Sequence, residues 1–227
     1  MVKRLFDVVC ATIALTVSAP ILLVVAIGIK LSDHGPVLYR ATRAGRYGVP
    51  YTMLKFRTMT QSQTPTASAV TAHRDARVFP FGRLLRKTKL DELPQLINVL
   101  RGQMSLIGPR PEDPKIVARY YGRIASETLA TPPGLASPGS IYNYTHGERL
   151  LVGGETEAVY AEELLPTKLA LDVVYARNAT FAYDVRVLVR TVVTIARISK
   201  GQTVFEMPPE WHEAQPICDQ IRGQYPL

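Results

Sequence analysis

The stretch Thr88 to Pro111, TKLDELPQLINVLRGQMSLIGPRP, sets two adjacent acids, Asp91 and Glu92, among basic residues and closes on a Pro109-Arg110-Pro111 corner. Arg83, Arg86, Lys87 and Lys89 precede the acids, and Arg101 and Arg110 follow them. A field of that sign keeps carboxylates ionised and draws in anions, phosphates above all. Pro94 is tolerated only in the first turn of a helix, so a helix over Leu93 to Leu100, stopped by Gly102, starts close to Asp91. The acids then sit at the positive end of a helix dipole, where a carboxylate and a bound phosphate are both favoured. The pattern also has an ordinary reading. Acids in a first turn are commonly caps, and Thr88 to Asp91 has capping-box spacing.

The 227 residues fit one domain and suffice for a real core. With 27 Lys plus Arg against 19 Asp plus Glu, a net charge of +8, the chain favours acidic partners: nucleic acid, anionic lipid or phosphorylated metabolites. Cys10 and Cys218 have neither metal-ligand spacing nor a disulfide framework. No internal repeat is visible.

From Val8 to Ile29 no residue is charged, and about 20 such residues cross the hydrocarbon core of a bilayer. A secretory leader is one reading, with Lys3-Arg4 as its basic start and Val17-Ser18-Ala19 as its cleavage site; Asp7, Pro20 and the continuing apolar run oppose it. Pro20 bends a helix by deleting one hydrogen bond, and Ser18 or Thr16 can satisfy the freed carbonyl. Basic residues lie on both flanks, Lys3 and Arg4 before the run and Lys30, Arg40, Arg43 and Arg46 after it. Cytoplasmic retention of both flanks fits a re-entrant, monotopic helix that enters and returns; a kinked single span is the simpler alternative.

Beyond Gly35-Pro36, segments Val37 to Arg40 and Tyr51 to Phe56 flank a turn-rich Gly45 to Pro50 and predict a β-hairpin. Residues two apart share a strand face, so Lys55 and Arg57 can meet one phosphate, unless they simply form a solvated basic edge. Thr60 to Ala72 reads as a polar surface loop, followed by a short basic segment at Phe81 to Lys87. Tyr142 to Gly154 reads as a loop, in which His146 is more simply a surface residue than an acid or base. Glu162 to Arg177 reads as a helix divided by Pro166. Over Asp184 to Lys200, Arg186, Arg190, Arg197 and Lys200 share one arc of a helix and Val185, Leu188, Val192, Ile195 and Ala196 another, for a membrane surface or for the domain. The Pro-rich tail after Gly201 reads as extended, pinned by Trp211.

Three motifs occur in order: Lys55-Phe56-Arg57-Thr58-Met59, Arg86 through Val99, and Met104 through Pro111. With the opening Lys3-Arg4-Leu5-Phe6-Asp7 and the proline-broken anchor, the chain resembles the bacterial sugar transferases known as monotopic phosphoglycosyl transferases, closely over about residues 1–134 and more loosely over 168–200. The resemblance implies an α+β, mainly helical, membrane-associated domain. It comprises a re-entrant, proline-kinked anchor at residues 1–32 with Ser18 and Pro20 at the kink, a catalytic domain at 33–200 with a small β-hairpin and amphipathic interfacial helices, and a tail at 201–227. It implies transfer of a phosphosugar from a nucleotide diphosphate sugar, usually a UDP-sugar, to polyprenyl phosphate, with release of UMP, at the cytoplasmic face of a bacterial inner membrane. Asp91 is then the nucleophile, Glu92 the ligand of Mg²⁺, and Arg86, Arg110, Lys55 and Arg57 the phosphate-binding cations.

Two departures bear on substrate. Ala41 stands where the family often has Gln, and Pro133-Gly134 opens a run, Leu135 to Ser140, unlike the family's usual Ile-Thr-Gly-Leu-Ala-Gln. Because the second run can shape the sugar or nucleotide pocket, it leaves the substrate open; the sequence also leaves open the acceptor chain length and the oligomeric state. A membrane-anchored protein that holds a sugar nucleotide without turnover is the alternative function, which the intact Asp91, Glu92 and Arg110 oppose. Nucleic acid lacks support, since no aromatic-and-basic binding module is present.

Overall fold

The computed structural model describes residues 2–60, 75–147, 150 and 156–224. The polar loop expected at Thr60 to Ala72 lies, apart from Thr60, outside them, as do Glu148 and Arg149. Helix α1, Val2–Ser32, is long and apolar enough to cross a membrane, and Pro20 lies inside it. Its two ends are both fastened to the rest of the chain. At the start, Lys3 donates to the Ile107 carbonyl and pairs with Asp184 at 2.8 Å. Arg4 donates to the carbonyls of Val99 and Leu100, and the buried Asp7 accepts from Ser105 Oγ and the Leu106 N–H. At the other end, the guanidinium of Arg57 binds the Asp33 carboxylate and the carbonyls of Asp33 and Pro36. Between these points Ala11 packs in one hydrophobic cluster with Leu96, Val99 and Ile107, and Val25 and Ile29 in another with Phe56, Phe79 and Leu85. Val17 and Leu23 stay exposed.

The hydroxyls near the proline differ from expectation. Proline at 20 frees the Thr16 carbonyl, but Ser18 donates to Ala14 and Thr16 to Thr12, each one turn upstream. Such back-bonding bends a helix on its own account.

The hairpin forms as expected: β1, Leu38–Ala44, pairs antiparallel with β2, Pro50–Phe56, so that Tyr39 faces Lys55. Tyr47 and Gly48 both take positive φ in the turn. Helix α2, Pro80–Thr88, then leads through a left-handed Lys89 into a 3-10 turn, Leu90–Glu92, and α3, Gln95–Leu100. A short parallel pair follows that sequence reading did not foresee: β3, Ser105–Ile107, lies beside β4, Gly134–Ala136. Between these strands lie the Pro-Arg-Pro corner and helix α4, Pro114–Tyr120. The strands and the corner approach so closely that a Cβ on Gly108 would come within 2.2 Å of the Pro132 carbonyl oxygen.

Helix α5, Pro138–Thr145, replaces the first part of the loop expected from Tyr142, because Ser137 caps it by accepting from the Ser140 N–H. Helix α6, Thr156–Val159, runs through a π turn at Tyr160–Leu164 into α7, Leu165–Asn178. Pro166, expected to divide a helix, sits in the first turn of α7, where its missing N–H costs little. Nearly all of α7 is buried. Helix α8, Phe181–Ser199, turns Asp184, Val187 and Thr191 inward and leaves Phe181, Val185, Val189, Val192 and Val193 exposed. Val187 and Leu188 pack on the domain, while Val185, Val189, Val192 and Val193 do not.

The tail is not extended. Helix α9, Trp211–Arg222, lays Ala214, Ile217, Cys218 and Ile221 on the core around α7. That i, i+3, i+4, i+7 spacing is an amphipathic stripe which the flanking prolines obscured. Glu210, just before α9, ties it to α8 by accepting from Tyr183 and Arg190. Ile221→Ala is therefore expected to cost about 2–4 kcal/mol in denaturant unfolding, as for other buried Ile or Leu truncations. A neutral result would return residues 201–227 to the status of a tail.

Candidate active site

Asp91 and Glu92 are both buried, at 1% and 6% exposure, and neither caps a helix. The Thr88 hydroxyl donates backward to the Leu84 carbonyl, and neither the 3-10 turn nor α3 has a side-chain cap, so the capping-box reading does not hold. What surrounds the acids is charge. Lys55 reaches them from β2, its Nζ 2.8 Å from Asp91 Oδ2 and 3.5 Å from Glu92 Oε1. Arg110 closes from the Pro-Arg-Pro corner with a two-pronged grip on Glu92, 2.5 Å to Oε1 and 3.2 Å to Oε2. Tyr144 of α5 donates to Glu92 Oε2 while accepting from Arg110 Nη1. The ammonium of Lys89 lies 4.0 Å above the Tyr144 ring.

The two carboxylates thus have different surroundings. Burial alone would raise the Glu92 carboxyl, but the charges of Arg110 and Lys55 and the Arg110 hydrogen bonds hold it well below the usual range. Asp91 has the charge of Lys55 beside it, yet neither of its oxygens accepts a hydrogen bond. Glu92 is gripped by a guanidinium and a phenol, whereas buried Asp91 has only its ion pair with Lys55.

The remaining predicted cations divide. Lys55 and Arg110 meet the acids. Arg86 on α2 instead donates to Thr58 Oγ1 at 3.0 Å, and Arg57 is engaged by Asp33 and Pro36. The pairing of Lys55 with Arg57 on one face does not occur, since β2 ends at Phe56. His146 stacks on Tyr142 and shares a hydrogen bond with Thr145, away from the acids' own partners.

Two residues that sequence reading missed organise this centre. Tyr144 is one. The other is Asp172 on α7, whose Oδ2 accepts from the Arg110 N–H and whose Oδ1 accepts from the Gly139 N–H at the start of α5. It therefore fixes both elements that deliver a partner to Glu92. Gly139 fits only without a side chain, because a Cβ would lie 2.5 Å from the Lys168 carbonyl oxygen. One turn before Asp172, buried Lys168 binds Glu112, which also accepts from Tyr160 at 2.7 Å. The Leu135 to Ser140 run thus has structural work: β4, the α5 cap and the Asp172 contact.

The acidic pair also matches Mg²⁺ in kind. Its oxygens are hard donors, those of Asp91 carry no hydrogen bond, and Glu92 is held ionised. Among the described residues no group of three or more His, Cys, Asp or Glu converges, so further coordination would fall to phosphate oxygens and water, as is usual for this ion.

Burial pushes the Asp172 carboxyl up to about 6 from 3.8, against its hydrogen bonds. Between those values the folded protein binds a proton that the unfolded chain does not, so this group's contribution to stability falls as pH rises through the window. Asp172→Asn removes that titration and sets an amide donor against one of two backbone N–H groups. It is expected to lose about 1–3 kcal/mol, with the gap to wild type widest near pH 4 and narrower by about pH 6.5. Melts at the two pH values check this, and a gap that does not change with pH excludes it.

The family model for bacterial sugar transferases matches residues 1–198. The UDP-glucose:undecaprenyl-phosphate glucose-1-phosphate transferase of Caulobacter vibrioides is 38% identical over 204 residues, covering 85% of this chain and 69% of that protein. The exopolysaccharide production protein ExoY of Rhizobium meliloti is 33% identical, with 88% of each chain covered. The UDP-N-acetylgalactosamine-undecaprenyl-phosphate N-acetylgalactosaminephosphotransferase of Aeromonas hydrophila is also 33% identical, but the match covers 86% of this chain and only 43% of that protein.

Proposed function

The chain belongs to the bacterial sugar transferase family, and from that premise we propose that it moves a phosphosugar from a UDP-sugar to polyprenyl phosphate through a covalent intermediate on Asp91. The observation that carries this reading is the contrast between the two acids: Glu92 saturated by Arg110 and Tyr144, Asp91 buried beside Lys55 with both oxygens free of hydrogen bonds. A carboxylate that meets one ammonium, with no guanidinium or phenol on it, keeps more of its electron pairs for attack.

In the first step an Asp91 oxygen bonds to the sugar-linked phosphorus as the bond from that phosphorus to the UMP oxygen breaks, and UMP leaves. In the second, an oxygen of polyprenyl phosphate attacks the same phosphorus, and the acyl-phosphate bond to Asp91 breaks. Lys55 and Arg110 offset the negative charge that would otherwise repel an anionic nucleophile from a diphosphate. Arg86 and Arg57 would join them only by leaving their present partners. Glu92 would hold Mg²⁺ only by giving up part of its contact with Arg110, Tyr144 or Lys55, and the ion would then supply further neutralisation of the diphosphate. The product, a polyprenyl-diphosphate sugar, begins glycoconjugate or exopolysaccharide assembly.

The membrane reading rests on α1. Its first and last turns are both tied to the same domain, and its exposed middle is apolar, as expected of a re-entrant helix entering and leaving one leaflet of the inner membrane from the cytoplasmic side. A single span would carry Lys3 and Arg4 away from Asp184, Val99 and Leu100. The exposed valines of α8 offer a second surface for lipid.

With a UDP-sugar, Mg²⁺ and polyprenyl phosphate the protein is expected to release UMP. Asp91→Asn should reduce release by at least about 10³-fold and abolish a trappable phosphosugar adduct. An Asp91→Asn variant that still turns over at a comparable rate removes Asp91 as nucleophile. An N-terminal tag should be reached by a membrane-impermeant reagent from the same side of sealed vesicles as the catalytic domain; labelling only from the opposite side would refute the re-entrant anchor.

A further inference from the structure

Among the described residues, four buried side-chain atoms lack a hydrogen-bond partner: Asp91 Oδ1 and Oδ2, the latter in an ion pair with Lys55 at 2.8 Å, Gln95 Nε2 and Tyr51 Oη. Folded proteins rarely leave such atoms unpaired, because the lost hydration is not recovered, and the exceptions call for a reason. Here all four belong to elements that meet at one place.

Gln95 opens α3 one helical turn after Asp91, since Leu93 and Pro94 both keep right-handed helical backbone. It is 1% exposed. Asn98, three residues further and on the same side of the helix, fixes that side to β2 by donating to the Thr52 carbonyl and accepting from the Leu54 N–H. Tyr51 lies on β2 four residues before Lys55, hence on the same strand face, and Lys55 is the residue that touches Asp91. The charges felt by the Tyr51 phenol are those of Arg43 and Arg110. Burial outweighs them and pushes the phenol well above its ordinary range, so it stays a protonated donor.

The chemistry of the four atoms is complementary to one kind of guest. Two are acceptors on the proposed nucleophile. The others are an amide N–H and a phenol O–H, neutral donors that find no protein acceptor, one on the helix that follows Asp91 and one on the strand that carries Lys55. A group with several oxygen acceptors and an electrophilic centre satisfies both sets, and a phosphoryl group has that form. We propose that Tyr51 and Gln95 donate hydrogen bonds to non-bridging oxygens of the phosphoryl group that Asp91 attacks, and so act as neutral catalytic residues beside the cations. This rests on the transfer reaction proposed above. Fixed, dry dipoles of this kind respond to the charge and shape that develop during attack, whereas Lys55 and Arg110 also hold the substrate in its ground state.

Tyr51→Phe and Gln95→Met each delete one donor and leave an apolar side chain of similar size. If the donors serve substrate, kcat for UMP release falls by about 10²-fold in each variant with KM changed less than about threefold. The melting temperature stays the same or rises, because an unsatisfied polar group has been removed. Rapid-quench measurement of the Asp91 adduct should show the same loss in the first step. Variants that turn over within about twofold of wild type overturn the inference and leave the transfer reaction standing. So does a lowered melting temperature, which would show that the two groups serve the fold. A wild-type protein that releases no UMP from any UDP-sugar defeats both.

Discussion

The centre depends on the burial of Glu92 under Arg110. An isolated carboxylate cannot remain charged in so dry a place, and the two-pronged guanidinium with the Tyr144 hydroxyl makes it tolerable. The consequences reach across the chain. Arg110 must arrive at one angle, so its backbone lies between two prolines, and its N–H is held by Asp172 from a helix more than sixty residues later. Tyr144 must arrive from the other side, and the same Asp172 holds the start of its helix through Gly139. Lys168 and Glu112 fasten the next residues of the corner one turn away on α7. A buried ion pair of this kind contributes little net stability, and what it secures is position. Glu92 takes the guanidinium and the phenol, and Asp91 is left with the Lys55 ammonium alone.

The second constraint is apolar. Helix α1 shares its clusters with the elements of the site, Ala11 with Leu96 and Val99 of α3, and Ile29 with Phe56 of β2 and Leu85 of α2. Polar fastenings at Lys3, Arg4, Asp7 and Asp33 keep the helix in that register. Residues that resemble the charged flank of a membrane segment are here bonded to named carbonyls, amides and side chains of the domain. The C-terminal helix α9 supports the arrangement from behind, packing on α7 beyond the end of the family match at residue 198.

The sequence made the candidate site legible where its residues are contiguous. Asp91-Glu92, the Pro-Arg-Pro corner, the hairpin and Lys55 could all be placed, because proline, glycine and alternation act within a few residues. Arg57 shows the limit of that reasoning: alternation held to Phe56, and one residue past the strand end another partner, Asp33, decided the outcome. Tyr144 and Asp172 carried no local signal. Each is a single residue whose role exists only once three distant segments meet. The α9 stripe was readable at positions 214, 217, 218 and 221 but was set aside for its prolines, although Pro216 sits within the helix.

These constraints together explain why the anchor and the acids belong to one folding unit. Phe56 ends the strand that presents Lys55, and Leu85 precedes Arg86 on the helix that leads to Asp91; both residues pack against the last third of α1. The distance from the apolar helix to the acidic pair is therefore set by close packing, which yields less readily than a linker. Under the transfer proposed above, to an acceptor whose phosphate stays near the bilayer surface while its chain remains in lipid, that fixed distance would be a functional quantity. A flexible tether would bring the domain near the membrane without aligning Asp91 to a phosphate at one depth. In the transfer proposed above the shared core would do both, and Lys3, Arg4 and Asp7 of α1 are the fastenings that maintain that core.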